Sequence, residues 1–142
     1  MQMIESLFNF CNTVIFGCWF CLLVFPRHKL TQNLINYPYV PLVLSLFYLY
    51  FLSQSKPITE ADFTSLNGIL QLFLEATPAS AAAGWIHYLG FDFWMGTWMV
   101  KDQQQRGKHS LWVLPALLCT FMLGPTGVLV YSIIIVIQNL KK

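Results

Sequence analysis

Charge is what this sequence has least of. Asp, Glu, Lys and Arg make up 10% of its 142 residues, where a soluble domain carries roughly 25%. The few charges nearly cancel, at a formal net +2. The eight basic residues lie singly or in pairs, so the footprint of a nucleic-acid-binding surface is missing. Also missing are G-x-G-x-x-G, a Walker A loop, G-x-S-x-G, H-E-x-x-H and any paired C-x-x-C pattern. That leaves dehydrogenase, ATPase, serine hydrolase and zinc protease readings without support. What is present is apolar: 56% of residues are hydrophobic and 16% aromatic, with mean hydropathy +0.57. Such a chain is too hydrophobic for disorder and too short of polar side chains to cover a soluble globule. The composition predicts a small all-α integral membrane protein forming a single domain over residues 1–142.

The apolar runs predict four transmembrane helices. Residues 6–25 carry no charge and stop at Pro26-Arg27-His28-Lys29. About twenty apolar residues span a hydrocarbon core of roughly 30 Å. A signal peptide is rejected, because the basic cluster follows the run and no small-residue cleavage site comes after it. Cys18-Trp-Phe-Cys21 falls inside this run. Without a βαβ context its cysteines, like Cys11 and Cys119, read as small hydrophobes. A second span covers residues 39–52. Residues 60–75 predict an amphipathic helix in the membrane interface between spans two and three, opened by Thr59-Glu60-Ala-Asp62. Phe63, Leu66, Leu70 and Phe73 lie on one side of it, and Thr64, Asn67 and Gln71 on the other. Thr77-Pro78 caps a third span over residues 79–100, whose small-residue start allows close helix approach. The fourth span covers residues 111–137 and is interrupted by Gly124-Pro125-Thr126-Gly127, a structural cluster. It predicts a kinked helix or, alternatively, two half-helices meeting in the membrane. Four spans place Arg27 and Lys108 on one side and Lys141 and Lys142 on the other; the positive-inside rule then puts both termini outside the cytoplasm.

Two ionisable residues, His87 and Asp92, fall inside the third span. A charged side chain at the centre of a spanning helix costs roughly 2.5–3.5 kcal/mol, so an intramembrane acid or imidazole is a functional candidate. They stand roughly 140° apart on a helix, which argues against a direct pair. Asp92 shares its side with Trp85 and Tyr88; His87 shares its side with Phe91 and Trp94. Each also has an architectural reading. Asp92 fits a protonated, hydrogen-bonded acid and His87 a neutral core histidine, and the imidazole suits a metal, haem or chlorophyll as well. No second His at i+3 or i+4 supports a helical metal site, and no metal is expected. Asp102, Arg106, Lys108 and His109 mark the membrane boundary. They read either as a helix-end ion pair with neighbours or as a polar mouth for a head group.

Gly84-Trp85-Ile86-His87-Tyr88-Leu89-Gly90-Phe91-Asp92-Phe93, Gly96-x-Trp98 and Asp102 come in order. Gly107-Lys108-His109-Ser110, Pro115-Ala-Leu-Leu and Leu123-Gly124-Pro125-Thr126-Gly127 follow. This ordered set, dense from Glu75 to Tyr131, resembles the abscisic-acid-deficient-four-like family of small plastid and bacterial membrane proteins. Its plant members are implicated in forming neoxanthin from violaxanthin. The resemblance implies a carotenoid held in a thylakoid or bacterial inner membrane. It implies His87 and Asp92 as base and acid of a redox-free isomerisation, with Trp85, Phe91, Trp98, Asp102, Arg106 and His109 binding substrate. The alternative is a non-catalytic subunit or assembly factor that binds carotenoid or chlorophyll and docks on a larger photosynthetic complex. Membrane lipid is a partner in either case.

Overall fold

A computed structural model describes residues 1–55 and 62–140. Its described elements are helical: α1 (Gln2–Val24), α2 (Lys29–Asn36), α3 (Tyr39–Ser53), α4 (Leu66–Leu74), α5 (Pro78–Gln105), a 3-10 turn (Ser110–Trp112), α6 (Leu114–Leu123) and α7 (Pro125–Leu140).

α5 is the axis of the molecule, and its ends are written in the sequence. The Thr77 side chain accepts from Ser80 N and the Ser80 side chain from Thr77 N, a capping box with Pro78 at the first helical position. At the far end Gly107 has φ +65°. Gly107 N donates to Gln104 O and Lys108 N to Gln103 O, the paired bonds of a Schellman stop that only glycine adopts without strain. Ala79, Ala82, Ala83, Ile86 and Gly90 are buried, and α3 makes its largest contact along this half of α5. Small side chains let the two backbones approach, as expected of the Ala-rich start. On α1, Trp19 packs edge-on against Phe93 (5.5 Å) and Phe121 (5.3 Å). Gly96 makes room for it: a Cβ there would lie 2.7 Å from Trp19 Cη2.

Four expectations change. α1 alone among the described residues is long and apolar enough to cross a membrane. α2 and α3 pass the same criterion only as a pair bent by 60° across Tyr37-Pro38, so one or two spanning helices, and not four, meet it among the described residues. The helix expected from residue 60 begins at Leu66. Asp62 accepts from Thr64 N, Thr64 Oγ1 and Ser65 Oγ, so the segment turns there, and Ser65 caps the helix by accepting from Gly68 N. These bonds, Ser65 first, hold the Asp62 carboxyl down at about 2. Thr59 and Glu60 lie outside the described residues. α4 buries none of its side chains.

The fourth expected span, residues 111–137, is not one helix. It breaks at Gly124, where φ is +50° and ψ −103°, and folds back on itself. A Cβ on Gly127 would overlap Thr120 Oγ1 and lie 2.7 Å from Ala116 O. Residues 116 and 127 would stand about 16 Å apart along a continuous helix, so α6 and α7 form a hairpin. The segment is therefore two helices and not one kinked helix. The breaking residue is Gly124, while Pro125 simply opens α7. α7 runs back to the end of α5 that carries Asp102, since Tyr131 bonds that residue. The C-terminal end of α7 thus lies on the side of Arg27, not across from it.

Candidate functional site

Asp92 sits midway along α5, fourteen residues after Pro78 and thirteen before Gln105. The tip of the α6–α7 hairpin meets it there. A Cβ on Gly124 would lie 3.0 Å from Asp92 Oδ1 and 3.4 Å from Oδ2, so glycine is required both for its positive φ and for the approach of the acid. The carboxyl is half-buried and has no hydrogen-bond partner among the described residues.

His87 is exposed on α5 and looks toward α3. Its ring lies 5.9 Å from Tyr48 and 4.8 Å from Phe91. The structure does not pair His87 with Asp92, in keeping with their angular separation. Between them runs an exposed aromatic stripe of Trp85 (50%), Tyr88 (58%), Phe91 (56%), Trp94 (52%) and Trp98 (47%). At 100° per residue these five fall within one half of the helix surface, with His87 inside one edge and Asp92 inside the other. The stripe covers about 20 Å of helix length. Phe91 and Trp94 touch at 6.1 Å. Trp85 is tied down by its Nε1–H, which donates to Asn12 Oδ1 on α1 at 2.9 Å. Trp98 lies edge-on to Tyr131 at 5.6 Å.

The boundary cluster splits in two. Arg106 Nε and Tyr131 Oη both donate to Asp102 Oδ2 at 2.6 Å. The guanidinium first, then the phenol, holds the Asp102 carboxyl below the usual carboxylate range, and burial opposes them. The Asp102 carboxylate thus has two donors within the protein. His109 is not part of this group. Its Nδ1 accepts from Leu111 N at 3.2 Å to cap the 3-10 turn, and it lines a cavity with Arg27 and His28. Among the described residues no three His, Cys, Asp or Glu side chains gather as metal ligands.

Sequence reasoning missed Tyr131, Asn12, Gln32 and Gln104. Gln32 Nε2 donates to Pro26 O (2.6 Å) and to Gln104 Oε1 (3.2 Å), tying α2 to the end of α5. Polar side chains at the ends of apolar runs gave a weak signal; Asn12 and Tyr131, isolated within such runs, gave the stronger one.

Residues 6–131 match the family model described as ABA DEFICIENT 4-like. No curated protein and no solved structure matches the chain. The matched segment runs from α1 to Tyr131 of α7, so it contains the stripe, both of its edge residues and the hairpin tip.

Proposed function

The chain belongs to the ABA DEFICIENT 4-like family, and from that premise we propose that it is an integral membrane protein that isomerises an epoxy-xanthophyll of the violaxanthin type. The observation that carries this reading is the half-exposed aromatic stripe of α5, with an imidazole near one edge and an unpaired carboxyl near the other. A polyene is long, flat and apolar, and such a stripe offers it ring faces along about 20 Å. α5 itself is about 42 Å long, enough to cross the hydrocarbon core with Asp92 near its middle. α1, the bent α2–α3 pair and α5 cross the bilayer in this reading. The α6–α7 hairpin enters and leaves on one side, with Gly124, the irregular residue of its tip, buried against α5 as backbone at membrane depth must be. The membrane is a thylakoid or a bacterial inner membrane.

Opening an epoxide to an allenic alcohol moves a proton and no electrons. Asp92 in its protonated form gives a proton to the epoxide oxygen as the C–O bond breaks. His87 in its neutral form removes one from carbon, and the electron pair of that C–H bond forms the new double bond. The product has the composition of the substrate, and the two side chains return to their starting states by exchanging a proton through solvent or the alcohol. General acid or base assistance is worth about 10²–10⁴ in rate. Incubating the purified full chain with violaxanthin in vesicles, and following products by chromatography and absorbance, tests the reading. The wild-type chain forms the allenic isomer. Asp92→Asn and His87→Gln each slow it by about 10² or more, with bound xanthophyll retained. Undiminished turnover in either variant removes that residue from the chemistry.

A second reading is favoured by α4, whose leucines and Phe73 are all exposed. There the chain is a non-catalytic pigment-binding or assembly subunit of a larger membrane complex, and α4 docks on it. Stoichiometric xanthophyll without turnover, together with co-purification of that complex, selects this reading.

A further inference from the structure

Arg27 is shared by two adjoining cavities at one end of the molecule. One, of about 460 Å³, has apolar walls that include Leu22, Leu114 and Leu117, and a rim of Arg27, His28 and His109. The other, of about 360 Å³, is lined by Arg27, Gln32, Gln104, Gly107 and Lys108. Neither is lined by an Asp or Glu among the described residues.

The rim is donor-rich for a structural reason. His28 Nδ1 accepts from Leu30 N and His109 Nδ1 from Leu111 N. With Nδ1 occupied as an acceptor, each neutral imidazole carries its proton on Nε2 and can only donate there. Arg27 and Lys108 also only donate, and neither has a carboxylate partner among the described residues. Ser110 Oγ, in the wall of the larger cavity, is buried without a partner. Buried polar atoms in native proteins nearly always find one. An apolar slot thus opens, through Arg27, into a polar cup of two unpaired cations.

We propose that these two cavities together bind one anionic phospholipid, with its phosphate between Arg27 and Lys108 and an acyl chain in the slot between α1 and α6. A free anion would fill the cup and leave the slot empty. A zwitterionic lipid would bring a cation to a site that has no acid to receive it. Juxtamembrane Lys and Arg draw anionic headgroups with about fivefold in affinity for each charge. The site shares with the xanthophyll reading only the membrane placement. Its readout is lipid binding, so a chain that turns over no xanthophyll leaves it standing.

The experiment is lipid binding by the detergent-purified full chain, followed by native mass spectrometry and by Tm. Phosphatidylglycerol, phosphatidylcholine with identical acyl chains, and inorganic phosphate are the three probes. Phosphatidylglycerol is expected to bind about 25-fold more tightly than phosphatidylcholine and to raise Tm, while phosphate alone does neither. Arg27→Gln and Lys108→Gln, both at the surface, each cut that preference about fivefold with circular dichroism unchanged. Leu114→Trp, which fills the slot, weakens both lipids. Equal binding of the two lipids, full preference in the double Arg27→Gln/Lys108→Gln variant, or a Tm rise with phosphate alone as large as with phosphatidylglycerol overturns the proposal.

Discussion

Replacing Tyr131 with Phe removes one of the two donors to Asp102 Oδ2 while keeping the ring that packs on Trp98. A hydrogen bond to a charged group contributes about 1.5–3 kcal/mol, and because Arg106 stays in place the lower end applies. The expected cost is about 1.5 kcal/mol of unfolding free energy near pH 7. Its pH dependence has a definite sign. The folded Asp102 carboxyl sits below its unfolded value, so the stabilisation is full above about pH 4 and is lost as pH falls through the depressed folded value. Denaturant unfolding of wild type and Tyr131→Phe at several pH values should show the two curves drawing together below about pH 4. A gap that stays constant would remove the charge-assisted bond from the account.

The α6–α7 hairpin depends on two glycines for different reasons. Gly124 supplies a positive φ and space for an acid; Gly127 supplies closeness to the facing helix. Gly127→Ala should cost about 1–3 kcal/mol, the range for overpacking. Adding Thr120→Ala should not restore it, since a Cβ would still lie 2.6 Å from Thr120 N and 2.7 Å from Ala116 O. Thermal unfolding of the single and double variants checks this; recovery in the double variant would place the strain in the Thr120 hydroxyl. Legibility follows the same divide between local and distant causes. Thr77-Pro78 and Gly107 announce the ends of α5 because capping is local. The break at Gly124-Pro125 was equally plain. What the break does was not legible, because folding back depends on how Gly127 meets Ala116, eleven residues away. In the same way His87 and Asp92 were found by their ionisable character within an apolar run. That Asp92 meets the hairpin tip, and that Asp102 belongs with Tyr131 and not with His109, needed the packing of α7 on α5. Residues 62–65 misled because Asp62 fits a first helical turn, yet it ties Thr64 and Ser65 into a turn of their own.

At the scale of the molecule, the hairpin changes which parts of the chain share a side. With α7 folded back, its end falls on the side of the molecule where α5 stops. A cysteine-free chain carrying Gln105→Cys or Asn139→Cys should react with a membrane-impermeant maleimide from one side of sealed vesicles, and Gln54→Cys from the other. Asn139→Cys reacting together with Gln54→Cys would restore a fourth crossing. Under the proposed membrane placement, gathering the cations Arg27, Lys101, Arg106 and Lys108 at one end predicts that end on the cytoplasmic side, or its equivalent in an organelle.

Gly124 is the sole residue between α6 and α7, and that brevity governs how the chain is made. Under the proposed membrane placement, a linker of one residue keeps the two helices in the same surroundings. In that placement α6 and α7, about a fifth of the chain, leave the insertion machinery together as a pair. The surface that receives its tip, around Asp92, is synthesised some thirty residues earlier. The order of synthesis thus presents a completed α5 to a hairpin that closes the molecule in a single step.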